Sequence, residues 1–108
     1  MKGNMNGMMK QIQKLQADME RVQSELGNKT VSAESGGGMV RAVANGKKEI
    51  VSINVESEVI NSGDKEMLED LIVAAVNKAL EAAGKMAEDE LGNVTKGVIP
   101  PGFNIPGF

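Results

Sequence analysis

Apolar residues between positions 5 and 26 recur at the three- and four-residue spacings of an amphipathic helix. They form an uninterrupted heptad pattern, and Gly27 with Asn28 follows as a helix stop. The heptad seam consists of Met5, Met8, Ile12, Leu15, Met19, Val22 and Leu26. Such a helix would be roughly 33 Å long, whereas the strands of a small sheet span only about 17–20 Å. We therefore expect part of this helix to project beyond the sheet and to pack against another helix.

Two β-prone runs between positions 35 and 55 predict a β-hairpin at the centre of the chain. Asn45-Gly46 separates the runs and is typical of a two-residue turn, which needs positive φ at both positions. An earlier strand is predicted over 30–34. The glycines at 36–38 allow a sharp turn or a bulge between this strand and the hairpin.

A two-residue turn sets a definite register, in which Val40 opposes Val51 and Arg41 opposes Ile50. One face of the sheet then carries Val40, Ala42, Val51, Ile53 and Val55. The other face carries Met39, Val43 and Ile50, mixed with Arg41, Lys48 and Ser52. Because both faces hold apolar residues, we expect neither to be left fully in water. The first face is predicted to pack on the chain's own helices, and the second, through Met39, Val43 and Ile50, to form a dimer interface.

A second amphipathic helix is predicted after a linker at 56–63. It opens with Asp64 and Glu66, since acids are favoured at the positive end of the helix dipole, and it ends near Leu91. Its apolar stripe consists of Met67, Leu68, Leu71, Ile72, Ala75, Val76, Ala79, Leu80, Ala83, Met86 and Ala87. Gly84 costs this helix about 1 kcal/mol relative to Ala, which indicates a backbone contact or a bend at that position.

The order of these elements predicts an α+β fold, α-β-β-β-α, with a three-stranded antiparallel sheet between two long helices. We expect one domain over residues 1–92 and a flexible tail over 93–108, which holds all three prolines. With two Phe and no Trp or Tyr, the core is small, so association with a second copy would help to bury apolar area. No apolar run resembles a signal or a membrane span, so a cytoplasmic protein without a membrane partner is expected.

The composition argues against catalysis. The chain has no His and no Cys, the commonest bases, nucleophiles and transition-metal ligands. Glycines 36–38 do not belong to a nucleotide-binding motif, because Arg41 stands where both common patterns need Gly. The acidic clusters lack the spacing of a calcium-binding loop and are typical of solvated helix faces. We therefore expect no enzyme activity, no cofactor, no metal and no small-molecule substrate.

The net charge of −3 is unevenly distributed. Residues 1–50 carry eight Lys/Arg against five Asp/Glu, a net of +3, and residues 51–108 carry four against ten, a net of −6. Lys10, Lys14 and Arg21 share one stripe of the first helix, outside the apolar seam. This stripe has two readings, a solvated face and a phosphate-binding surface, and three cations do not separate them.

A second group of cations lies on the second helix. Lys78 and Lys85 are seven residues apart and would extend a positive strip, although Glu81 lies between them. Neither group has aromatic neighbours on which bases could stack. Any recognition of nucleic acid would therefore depend on phosphates, with a few Gln contacts adding selectivity.

Two segments, ESGGGMVRAVANGKKEIVSINV and DKEMLEDLIVAAVNKAL, follow a Met/Gln/Lys-rich helix and precede a PPGFNIPGF end. Over essentially the whole chain, this arrangement resembles the bacterial nucleoid-associated YbaB/EbfC family. The resemblance implies small homodimers in which paired helices project from a joined sheet, and which bind DNA with limited sequence preference in the nucleoid. The DNA-binding positions it implies are Lys10, Lys14 and Arg21, with Lys78 and Lys85 secondary.

The main hypothesis is therefore a homodimeric, cytoplasmic protein of the nucleoid that binds double-stranded DNA and contributes to nucleoid organisation and gene regulation. The alternative is a non-catalytic protein–protein adaptor that uses the helix seam or the C-terminal tail. DNA affinity that falls steeply with salt would distinguish the first from the second.

Overall fold

The computed structural model describes residues 2–95, and the side chains of residues 7–94. Its elements are α1 (Lys2–Leu26), β1 (Thr30–Ser35), β2 (Val40–Asn45), β3 (Ile50–Val55), α2 (Ser57–Asn61) and α3 (Lys65–Thr95). The strands form an antiparallel sheet in the order β1-β2-β3. The predicted α-β-β-β-α fold is thus confirmed, with two additions. A 3₁₀ turn over Gly36–Gly38 joins β1 to β2. The segment expected to be a linker at 56–63 contains the short helix α2.

The end of α1 and the start of α3 have causes that are visible in the sequence. The backbone of α1 stops at Leu26, as predicted from Gly27. At the start of α3, Asp64 Oδ1 accepts a hydrogen bond from the Met67 amide at 3.0 Å, the usual role of an N-cap. α3 continues past Leu91 to Thr95, so the boundary predicted after residue 92 falls inside the helix. The remainder of the predicted tail, 96–108, lies outside the described residues.

The core is a thin layer between α3 and the first two strands. Its fully buried members are three residues of β2 and three alanines one helical turn apart, namely Val40, Ala42, Ala44, Ala75, Ala79 and Ala83. The small side chains on both sides allow the helix backbone to lie close to the sheet. At one edge of this layer, the Ser35 hydroxyl donates a 2.6 Å hydrogen bond to the Leu71 carbonyl. α3 packs mainly on β1 and β2, and only marginally on β3.

The hairpin register predicted from a two-residue turn is wrong. Val40 opposes Val55 instead of Val51, and Arg41 opposes Asn54 instead of Ile50. Two features of the backbone shift the pairing. The loop is longer than two residues, and a bulge follows it, where the register changes between Val43 and Ala44.

Asn45 holds the loop through hydrogen bonds that a two-residue Asn-Gly turn would not make. The Asn45 amide donates to the Glu49 carbonyl at 2.9 Å, so these two residues still belong to the ladder. The Lys48 amide donates to the Asn45 carbonyl at 3.0 Å, and Asn45 Oδ1 accepts from the amides of Lys47 and Glu49. Lys48, with φ of 62°, takes the left-handed position. This is the three-residue hairpin loop whose last residue is left-handed.

The two faces of the sheet differ accordingly from the prediction. Val40, Ala42, Ile53 and Val55 share the helix-covered side, as expected. Ile50 was expected on the opposite face, but it pairs with Ala44 and therefore lies on the helix side. On the opposite face, Val43 lies between Ser32 and Ser52, and polar pairs flank it. The second apolar face predicted from Met39, Val43 and Ile50 is therefore not formed.

Candidate nucleic-acid interface

α1 and α3 form a helix pair that extends past the turn of the hairpin. The Gly46 amide donates to the Leu26 carbonyl at 2.8 Å, so the C-terminus of α1 is held against that turn. From there α1 packs on α3 rather than across the sheet, and just beyond it Lys29 Nζ lies 2.9 Å from Glu90 Oε1. At 25 residues, α1 is about 37 Å long. This confirms the expectation that the first helix projects beyond the sheet and packs against another helix.

The apolar seam of α1 is covered over only part of its length. Val22 and Leu26 are buried, and Leu15 and Met19 are half-buried. Towards the N-terminus the same seam emerges into solvent, since the Ile12 side chain is 51% exposed and its neighbours are similarly bare. The distal part of the helix pair therefore presents apolar as well as charged surface.

The three predicted cations of α1 differ in their surroundings. All three side chains are exposed on the projecting part of the helix. Arg21 lies between two acids of its own helix, with Nη1 3.4 Å from Glu25 Oε1 and Nη2 3.8 Å from Asp18 Oδ1. Within residues 7–94, neither Lys10 nor Lys14 has an acidic group within ion-pair distance. Among the described side chains of α1, these two lysines, one helical turn apart, are the cations without an ion-pair partner.

The two predicted cations of α3 lie nearer the sheet. Lys78 Nζ donates to the Glu34 carbonyl at 3.4 Å, across the edge of β1. Together with Lys85 and Lys48, Lys78 lines an open groove of about 930 Å³ along α3. Lys48 was not among the predicted site residues. The predicted two-residue turn placed Lys48 in the third strand, whereas the longer loop of the structure places it in the turn, next to the middle of α3.

Gly84 explains how Lys48 reaches the helix. A Cβ built on Gly84 would lie 3.3 Å from Lys48 Cε, closer than side chains usually pack. The end of the Lys48 side chain therefore lies beside α3 at a position where the helix has no side chain. The prediction of a contact or bend at Gly84 is confirmed as a contact, and the groove it opens also contains Glu81 and Glu88.

The residues predicted to form the dimer interface are not brought together. Met39 and Val43 are half-buried, and Ile50 lies on the other side of the sheet from Val43. Exposed apolar area is found instead along β3, an edge strand that α3 leaves largely uncovered. Its side chains Val51 and Ile53 are 57% and 41% exposed.

Two kinds of feature are absent from the described part of the chain. Among residues 2–95, no three Asp or Glu side chains are placed so as to hold a metal ion. Nor does any helix of this region combine the length and apolar character that crossing a bilayer requires.

The fold and the surface place this chain in a class of small α+β proteins that carry free lysines on a helix pair extending from the sheet. The chain belongs to the YbaB/EbfC DNA-binding family, whose model matches residues 1–98.

Bacterial relatives agree with this assignment. The chain is 53% identical over 103 residues to a nucleoid-associated protein of Pelotomaculum thermopropionicum, covering 95% of this chain and 98% of that protein. It is 52% identical over 105 residues to a nucleoid-associated protein of Caldanaerobacter subterraneus subsp. tengcongensis, covering 97% and 90%. The crystal structure of an uncharacterized protein from Helicobacter pylori has the same fold, with a TM-score of 0.69 at 20% identity, covering 80% of this chain and 90% of that one.

Proposed function

We propose that this protein binds duplex DNA as a homodimer, with limited sequence preference, and thereby contributes to nucleoid organisation and gene regulation in the bacterial cytoplasm. The observation that carries the proposal is the pair of free lysines, Lys10 and Lys14, on a helix that projects from the sheet. Membership of a DNA-binding family supports the choice of nucleic acid over other polyanions.

The chemistry of the surface favours contacts with phosphates over contacts with bases. Lysine is a compact charge on a flexible stem, well suited to a phosphodiester oxygen but without the planar fork that reads base edges. The described helices also carry no aromatic side chain on which a base could stack. Since the whole chain has a net charge of −3, attraction to DNA is local and opposed by repulsion elsewhere. Binding should therefore be strongly dependent on salt.

The exposed edge strand β3 supports the homodimer. An edge strand offers unpaired backbone groups to another strand, and β3 adds the exposed side chains of Ile50, Val51 and Ile53. Two copies that pair through β3 would cover these side chains and join their sheets into one platform. Each copy would then carry its helix pair on that platform. This interface retains Ile50 from the sequence prediction and replaces Met39 and Val43 by Val51 and Ile53.

The test of DNA binding is a fluorescence-anisotropy titration of a labelled duplex at several salt concentrations. Replacing Lys10 and Lys14 by Ala should weaken binding equally for unrelated sequences and reduce the salt slope by up to about 0.9 for each lost phosphate contact. Arg21→Ala should have a smaller effect, because Asp18 and Glu25 already balance its charge.

The matched control replaces Gln13 and Gln16, exposed neutral residues of the same helix, by Ala. This variant should keep the salt slope of the wild type, because a neutral side chain releases no counterions from DNA. If the double lysine variant has the affinity and the salt slope of the wild type, Lys10 and Lys14 do not contact DNA phosphates.

The exposed seam of α1 favours a second candidate, the protein–protein adaptor. Met8, Met9 and Ile12 are more than half exposed and line the distal part of the helix. A partner helix could cover this stripe as α3 covers the rest of the seam. A wild-type protein that fails to bind duplex DNA even in dilute buffer would support this function and exclude the first.

A further inference from the structure

We infer that Lys48, at the turn of the hairpin, is a phosphate-binding residue that acts together with Lys78 and Lys85 at the base of the helix pair. This inference rests on the proposed function, because the phosphates are those of the duplex backbone. It adds a second contact region, separate from Lys10 and Lys14, in the groove along α3.

Two residues that are unfavourable for their local backbone conformation lie at this groove. Lys48 occupies the left-handed region, with φ of 62°, which residues with a side chain rarely adopt. Gly84 lies inside the long helix α3, where glycine is a poor helix former. The loop places Lys48 beside α3, and the end of its side chain lies close to Gly84, where a Cβ would be 3.3 Å from Lys48 Cε. Costly conformations that converge on one contact indicate that the position of this side chain matters.

The charges of the groove suit an oxyanion. Three lysines line it, and within the described residues none of them has an acidic group at ion-pair distance. Glu81 and Glu88 also line the groove, which leaves one net positive charge. A single phosphodiester matches that charge, and the flexible lysine stems can converge on its two free oxygens.

The place of the groove suits a duplex that also reaches the end of the helix pair. The hairpin turn is held against Leu26, twelve residues along α1 from Lys14 and sixteen from Lys10. At 1.5 Å per residue, these separations are about 18 and 24 Å. They are shorter than one turn of duplex DNA, about 34 Å. The distance along α1 is therefore short enough for one duplex to span both regions.

The test replaces Lys48 by Asn, which tolerates the left-handed conformation and so preserves the loop. Anisotropy titrations against salt should show a loss of affinity on the order of threefold to tenfold and a salt slope reduced by up to about 0.9. Lys47→Asn is the matched control. Lys47 belongs to the same loop, but its stem lies against Gly27 instead of α3, so its slope should equal that of the wild type.

Gly84→Ala gives an independent test with opposite effects on stability and binding. The new Cβ should displace the flexible end of Lys48 and improve the helix, so the melting temperature rises while DNA affinity falls. Unchanged affinity in both Gly84→Ala and Lys48→Asn overturns the inference. The proposed function still stands in that case if the Lys10/Lys14 variant loses affinity, and a wild type that ignores DNA overturns both.

A final experiment distinguishes two possible ligands of the groove, the DNA backbone and a small phosphorylated molecule. Inorganic tripolyphosphate is titrated by calorimetry into the wild type and Lys48→Asn at the same ionic strength. We expect no saturable binding in the micromolar range. Saturable binding that requires Lys48 would assign the groove to a small ligand and overturn its assignment to duplex DNA.

Discussion

Single residues in the hairpin loop decide how the helices are attached to the sheet. Asn45 is buried and uses its side-chain oxygen and nitrogen to hold the loop, while its own backbone remains in the ladder. Gly46 follows it and lies directly against Leu26. The sequence identified both residues as a turn but could not show this contact, because Leu26 is distant along the chain. The loop therefore serves as the joint between α1 and the sheet.

Gly46→Ala should be strongly destabilising for this reason. The added Cβ would lie 2.6 Å from a Leu26 methyl carbon and 2.8 Å from the Leu26 carbonyl oxygen, which cannot move without moving α1. Overpacking of this kind costs about 1–3 kcal/mol. Equilibrium urea unfolding at fixed protein concentration measures it. Gly7→Ala, in α1 with nothing near its Cβ, is the control and should not lower stability. Equal stability of both variants would contradict the close contact.

Elements of this chain are recognisable from periodicity, but their pairing is not. The 3.6-residue period of α1 and α3 predicted both helices, because each has one apolar face over several turns. The hairpin was also predicted, yet its register was wrong, since the loop and the bulge each add residues that alternate patterning cannot count. For the same reason Ile50 was assigned to the wrong face.

The alanines of α3 allow the close packing of this helix on the sheet to be tested by substitution. Ala79→Leu should cost about 1–3 kcal/mol, because Ala79 is fully buried against the sheet and a larger side chain would lift the helix. Asn77→Leu, two residues away on the exposed side of the same helix, should change stability by less than about 0.5 kcal/mol. Thermal unfolding of the two variants compares them. Similar stability would show that α3 does not depend on this close packing.

Across the whole molecule, the exposed large apolar side chains of residues 7–94 lie mainly in two places, the edge strand β3 and the distal part of α1. A three-stranded sheet with one helix across two of its strands cannot cover the third, so a second copy is the natural completion of β3. The platform, rather than the isolated chain, would then set the spacing of the two helix pairs.

Ile50→Asp tests this assembly by light scattering after size-exclusion chromatography. A charge on the helix side of β3 should give monomers or impair folding, since it would be buried without a partner. Ser52→Asp, on the opposite face of the same strand, is the matched control and should remain dimeric. Val43→Asp separates the two proposed interfaces. If Val43→Asp alone gives monomers, the dimer uses the face opposite α3 instead.

The sequence by itself determined the two helices, the three strands, their order and the absence of His and Cys, because each depends on local spacing or on composition alone. It also pointed to Lys10 and Lys14 through their shared stripe. Only the tertiary structure decided the register, the side of the sheet on which Ile50 lies and the approach of Lys48 to Gly84. The register and the place of Ile50 follow from the length of the loop and the bulge, and the approach of Lys48 to Gly84 joins residues far apart in the chain. The pattern of apolar positions encodes neither.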